Sequence, residues 1–114
     1  MHYAIPLNLK PLAESTESGS AVLNVAEYLE GQLAVNVTAA GGTNPTLDLV
    51  VEVSLDRGVT WFTHTTFTQV TAAGKALKLL ANLGERIRVS WTLGGVDPTF
   101  TFGLDFVGKG ANRL

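Results

Sequence analysis

Ser54-Leu55-Asp56-Arg57-Gly58-Val59-Thr60-Trp61 is the stretch on which the reading of this chain turns. It follows an alternating run in which Leu47, Leu49, Val51 and Val53 are interleaved with Asp48, Val50, Glu52 and Ser54. A period of two puts one set on each face of a β-strand, so the eight residues read as a tight turn leaving a half-buried strand. Asp56 can accept from backbone N–H groups inside the turn, Gly58 can take positive φ, and Trp61 can fold back as an apolar lid. Ser54, Asp56, Gly58, Thr60 and Trp61 are therefore the expected structural residues of a hairpin.

The same texture extends in both directions. Tyr3, Ile5, Leu7 and Leu9 alternate with smaller or polar residues, and Pro6, which has no N–H to donate, marks an edge strand or extended arm that Pro11 ends. Glu14 to Ser20 is polar and small and reads as a loop; Ala21 to Val25 is a short strand; Glu27-Tyr28-Leu29-Glu30 reads as one helical turn before Gly31. Leu33, Val35 and Val37 give a strand, followed by the turn Gly41-Gly42-Thr43-Asn44-Pro45. Beyond the quoted stretch, Trp61 to Val70 and Lys75 to Leu80 have strand character, with turns at Ala72-Ala73-Gly74 and Asn82-Leu83-Gly84. Ile87, Val89, Trp91 and Leu93 form one strand face, and Phe100, Phe102, Leu104 and Phe106 another, with Gly94-Gly95-Val96-Asp97-Pro98 turning between them. About eight short strands at this spacing predict an all-β fold, an antiparallel β-sandwich or jelly roll. Residues 1–12 are expected to form an N-terminal arm or edge strand, 13–108 the sandwich and 109–114 a tail. The expected core is Leu33, Val35, Leu49, Val51, Val53, Trp61, Phe67, Leu79, Ile87, Val89, Trp91, Phe100, Phe102 and Leu104.

The pattern S-x-D-x-G-x-T-W resembles the Asp box, the hairpin motif repeated on the blades of sialidase-like propellers. A propeller needs at least four four-stranded blades, and 114 residues with one such turn and no evident internal repeat do not supply them. The motif is therefore read as a clip on a single domain, without functional content of its own.

Composition bounds the function. Hydrophobic residues make up 46% of the chain and charged residues 16%, against about 25% charged in an ordinary soluble domain. No apolar stretch approaches the ~20 residues of a membrane-spanning helix, and Met1-His2-Tyr3 does not open a signal peptide. A low-charge, apolar-rich chain of this kind is expected to hide surface against partners. The net charge of −2 and scattered Lys and Arg argue against nucleic acid, only Arg86 and Arg88 sharing a strand face. With no cysteine, disulfides and thiolate metal sites are excluded.

The sequence offers no catalytic constellation. His2 and His64 are the only histidines, neither with a carboxylate at a suggestive spacing. Asp48 and Glu52 share a strand face but stand about 13 Å apart by strand rise, so they are not an acid–base pair. Asp56, Asp97 and Asp105 make no calcium loop, and no Gly-rich phosphate loop opens a helix. The chain is expected to be non-enzymatic, with no cofactor and no metal. Asn36-Val37-Thr38 fits a glycosylation acceptor but falls in mid-strand. Among the aromatics, Trp91 is in phase with the core and Trp61 closes the turn; Phe62 is out of phase with Trp61 and is the best candidate for an exposed sugar- or partner-binding ring.

A resemblance to small structural proteins of tailed bacteriophages runs from Leu47 through Phe106. It is carried by Val53 to Trp61, Phe67 to Gly74, Leu83-Gly84-Glu85-Arg86-Ile87-Arg88-Val89-Ser90-Trp91-Thr92-Leu93-Gly94-Gly95 and Pro98-Thr99-Phe100-Thr101-Phe102. The resemblance implies a β-sandwich virion component: a capsid decoration or cement protein, or a head–tail or tail accessory protein. It implies the major capsid protein or another virion protein as partner, and location in the particle after synthesis in the host cytoplasm. Together with the apolar excess it leads to an expected homo-oligomer, a trimer first, with Tyr3, Ile5, Leu7 and Leu9 lying along a neighbouring subunit or, alternatively, capping their own sandwich. A carbohydrate-binding module remains the alternative, resting on the Asp box and Phe62.

Overall fold

The computed structural model describes residues 6–110. All of its regular structure is β: β1 (Leu7–Ser15), β2 (Gly19–Asn24), β3 (Tyr28–Ser54), β4 (Phe62–Thr66), β5 (Gly74–Leu80) and β6 (Arg86–Gly110). Every pairing between these strands is antiparallel. β3 and β6 pair along nearly their whole length, from Tyr28↔Gly110 to Ser54↔Arg86, and both bend midway. Each long strand thus serves two layers. The first layer reads β1, second half of β6, first half of β3, β5; the other reads β2, first half of β6, second half of β3, β4. The eight segments and their connections make a jelly roll, as the strand spacing predicts.

The bend explains why fewer, longer strands appear than the turn signals suggest. Gly41-Gly42-Thr43-Asn44-Pro45-Thr46 and Gly94-Gly95-Val96-Asp97-Pro98-Thr99 face each other across the ladder, with pairs Gly41↔Thr99, Thr43↔Val96 and Thr46↔Gly94 and register shifts between them. They adopt the same conformation: φ is 102° at Gly42 and 103° at Gly95, and 49° at both Asn44 and Asp97. A Cβ on Gly42 would lie 2.5 Å from the Asp97 carbonyl oxygen, and one on Gly95 2.5 Å from that of Asn44. Glycine is required by close approach as well as by φ. The sequence therefore does hold an internal repeat, Gly-Gly-Xaa-Asn/Asp-Pro-Thr, and its two copies are related by a pseudo-two-fold axis through the corner. The same axis relates β1 to β4 and β2 to β5.

The core lies between the layers and contains Leu33, Val35, Leu49, Val51, Phe67, Ile87, Val89, Phe100, Phe102 and Leu104 as expected, joined by Val25, Val37, Leu47, Leu80 and Phe106. Val53 and Trp91 pack against it half-buried, whereas Trp61, also expected in the core, is half-buried outside this cluster. Leu79 is a correction: it is 58% exposed, while Leu80 is fully buried. Leu80 pairs with Gly31 and faces inward, which turns Leu79 and Leu77 outward.

Three local expectations also change. Residues 27–30 form no helical turn; Tyr28 opens β3, its ring lying on Gly108 and edge-on to Phe106 at 5.9 Å between centroids. The strand after Trp61 is limited to Phe62–Thr66, because Phe67 turns into the core and Val70 makes a single bridge to Leu47. Pro11 does not end β1, which continues to Ser15 through a bulge between Lys10 and Ala13. Leu7 and Leu9 lie on this strand, which pairs with β6 of the same chain; Leu9 packs against the core. Tyr3 and Ile5 lie outside the described residues.

Candidate functional site

The Asp-box turn forms at the end of the sandwich opposite the glycine corner. Ser54 is its hidden centre, fully buried. Its hydroxyl donates to Asp56 Oδ1 at 2.8 Å and accepts from the Gly58 N–H at 2.8 Å and the Asp56 N–H at 3.3 Å. Asp56 Oδ1 also accepts from the Thr60 N–H at 2.8 Å. That backbone hydrogen bond, with further donors from Thr60 and Ser54, holds the Asp56 carboxyl below the usual carboxylate range. Arg57 and Gly58 take positive φ, 63° and 90°. The Trp61 ring lies against Gly58 and under the Arg88 guanidinium, 4.4 Å from carbon to ring centroid. The five motif residues act together as a clip.

Arg88 links this clip to the outer face of the second layer. It forms a bidentate pair with Glu52, at 2.9 and 3.0 Å, and Ser90 donates to the same carboxylate at 3.1 Å. The Arg88 hydrogen bonds hold the Glu52 carboxyl below its ordinary value, and Glu52 raises Arg88 in turn. Glu52 is thus committed to a cation across the ladder. Asp48 accepts from Gln69 at 3.0 Å on the same face.

His64 is a tie between strands. Its Nε2 is 2.6 Å from the Ala81 carbonyl and its Nδ1 2.6 Å from the Thr65 hydroxyl. A carbonyl only accepts, so Nε2 donates to Ala81, while Nδ1 is paired with the Thr65 hydroxyl. Both ring nitrogens are occupied in holding β4 to the loop after β5. No group of three His, Asp or Glu side chains able to hold a metal occurs among the described residues.

Two features were not anticipated from the sequence. Lys10 is 9% exposed and has its ammonium over the Phe102 ring, 4.0 Å from the centroid. It donates to the carbonyls of Phe102, Ala13 and Pro11 at 2.8, 3.2 and 3.4 Å, serving acceptors that the bulge removes from the ladder. Burial lowers its pKa. The second is a pair of exposed leucines on the outer face of the first layer. Leu77 and Leu79 are 63% and 58% exposed on β5, an edge strand. Phe62, on the neighbouring edge strand β4, is 55% exposed.

No protein-family model matches this chain, and no curated protein matches it in sequence. Solved structures match its fold. The PBSX exported protein XepA is 16% identical, with a TM-score of 0.64 over 96% of this chain and 38% of that one. The chitosan-binding module 1 of a chitosanase/glucanase from Paenibacillus sp. IK-5 is 20% identical, with a TM-score of 0.56 over 84% of this chain and 72% of that one. The Clostridium thermocellum xylanase 10B, a structure of its CBM22-1 and GH10 modules with xylohexaose, is 14% identical, with a TM-score of 0.55 over 83% of this chain. The chain spans 20% of that xylanase chain. At these identities the likeness is one of fold, the β-sandwich shared with carbohydrate-binding modules.

Proposed function

We propose that this protein is a non-enzymatic structural component of a bacteriophage particle, a decoration or cement protein that stabilises the capsid lattice by contact. Its partner on this reading is the major capsid protein or another virion protein, and its own form is a homo-oligomer, a trimer first. One observation carries the reading: Leu77 and Leu79 stand outward on β5, whose second edge pairs with no strand among the described residues. An open edge backed by exposed leucines gains main-chain hydrogen bonds and apolar burial from another protein strand. The texture shared with phage structural proteins supports the same reading.

The test uses purified particles lacking the protein. Leu77→Asp/Leu79→Asp should fold normally, since both side chains are exposed, and should no longer co-sediment with particles. Undiminished co-sedimentation would remove β5 from the contact.

A second reading, carbohydrate binding, is favoured by Phe62, which exposes 55% of its surface beside the Asp-box clip. The sandwich shared with the chitosan-binding module agrees with it. Retention on a glycan-affinity gel, abolished by Phe62→Ala, would support it.

A further inference from the structure

The corner repeat creates two equivalent depressions on the flanks of the end opposite the Asp box. One, of about 300 Å³, is lined by Asn44, Pro45, Thr46 and Thr71. The other, of about 270 Å³, is lined by Thr16, Asp97, Pro98 and Thr99. The pseudo-two-fold axis exchanges them residue for residue: Asn44 with Asp97, Pro45 with Pro98, Thr46 with Thr99. It also exchanges Thr71, on the loop between β4 and β5, with Thr16, on the loop between β1 and β2. The fourth wall of each pocket thus comes from a separate segment that carries threonine both times.

We infer that these pockets are paired subsites for a neutral oligosaccharide, an inference that rests on the carbohydrate-binding reading. Each offers the same chemistry: a proline ring as apolar surface, two threonine side chains, and a planar amide or carboxylate. A sugar presents the complement, with C–H surface on one side and hydroxyls that both donate and accept on the other. Neither pocket is lined by Lys or Arg, so phosphate and sulfate find no counter-charge. The backbone fixes the polar groups in advance. Asn44 and Asp97 are held at positive φ, and the hydroxyls of Thr46 and Thr99 stand against Gly94 and Gly41. Preorganisation of this kind lowers the ordering cost of binding. A chain of sugars long enough to reach both copies would gain over a single residue, because its second contact is intramolecular.

Backbone amide NMR shifts, recorded while maltohexaose, cellohexaose and chitohexaose are added in turn, test this. At least one hexasaccharide should move the amides of both loops, and Thr16→Val/Thr71→Val should weaken binding at least tenfold with the melting temperature unchanged. Both threonines are exposed, so the double variant leaves packing intact. Binding that survives this variant but is lost in Phe62→Ala would overturn the pockets and leave the carbohydrate-binding reading standing. No shift with any of the three would overturn both.

Discussion

Ser54→Ala isolates the clip better than any change at the acid it supports. The serine is fully buried and its hydroxyl makes two hydrogen bonds at 2.8 Å and a longer one at 3.3 Å. Alanine keeps the strand geometry and removes all three. Two well-formed bonds at about 1 kcal/mol each, plus partial desolvation of the stranded Gly58 N–H, give an expected loss of about 2–3 kcal/mol. An unfolding entropy of about 2.1 cal/mol/K per residue over 114 residues makes this roughly 8–12 °C in Tm. Urea unfolding followed by tryptophan fluorescence measures it, since Trp61 reports on the same turn. The variant should also begin acid unfolding at higher pH. Asp56 loses one donor, its folded pKa rises towards the ordinary value, and stability present above that range disappears sooner as pH falls. Thr60→Ala keeps the Thr60 N–H that Asp56 accepts from and should cost less. A Ser54→Ala variant within about 0.5 kcal/mol of the parent, the range of neutral surface changes, would refute the clip.

Further outcomes follow from the packing. Gly42→Ala and Gly95→Ala should each lower Tm strongly, while Gly74→Ala, whose Cβ would meet nothing within 4 Å, should be tolerated. Leu80→Ala should cost about 2–5 kcal/mol and Leu79→Ser close to nothing in chemical denaturation, which checks the β5 register directly. Lys10→Met should destabilise by about 1–3 kcal/mol, leaving the Phe102 carbonyl without its donor. Because the Glu52 pKa is lowered, its contribution to stability is present above the unfolded carboxylate value and is lost as pH falls through the folded one; Glu52→Gln should flatten that part of a stability–pH curve.

Much of this architecture was legible because period two is unambiguous where only one phase is apolar, as in Leu47-Asp48-Leu49 or Phe100-Thr101-Phe102. It fails where both phases are apolar. In Lys75-Ala76-Leu77-Lys78-Leu79-Leu80 no pattern chooses between Leu79 and Leu80; the ladder to β3, with Leu80 opposite Gly31, makes the choice. The strand at Tyr28 is hidden in the sequence for a related reason. Its short segment lacks alternation, and its strand conformation is set by a distant glycine, Gly108, that leaves room for the ring. The signal for Lys10 stands beside it: Pro11 cannot donate to a ladder, and β1 crosses it with a bulge between Lys10 and Ala13, where the lysine ammonium meets the nearby carbonyls. The Asp-box residues stand together in eight consecutive positions, whereas the corner pockets need residues from separate loops and become visible only when those loops meet.

The glycine corner shows why this fold reads as eight strands and builds as six. Gly-Gly followed two residues later by proline looks like a chain break, because glycine and proline usually end strands. Here the two copies bend against each other. Each copy's first glycine leaves space for the other's threonine hydroxyl, 2.6 Å from a Gly41 Cβ and 2.5 Å from a Gly94 Cβ. Each copy's second glycine admits the other's carbonyls. A side chain at Gly42 or Gly95 would push the partner's backbone away, and one at Gly41 or Gly94 would displace the partner's threonine hydroxyl, so the two copies bend together. The repeat is therefore a single reciprocal joint, and it lets one pair of strands turn from the first layer into the second without giving up its ladder. That joint also fixes Pro45 and Pro98, Asn44 and Asp97 in matched positions, and so the pairing of the two pockets follows from the same contacts that close the sandwich.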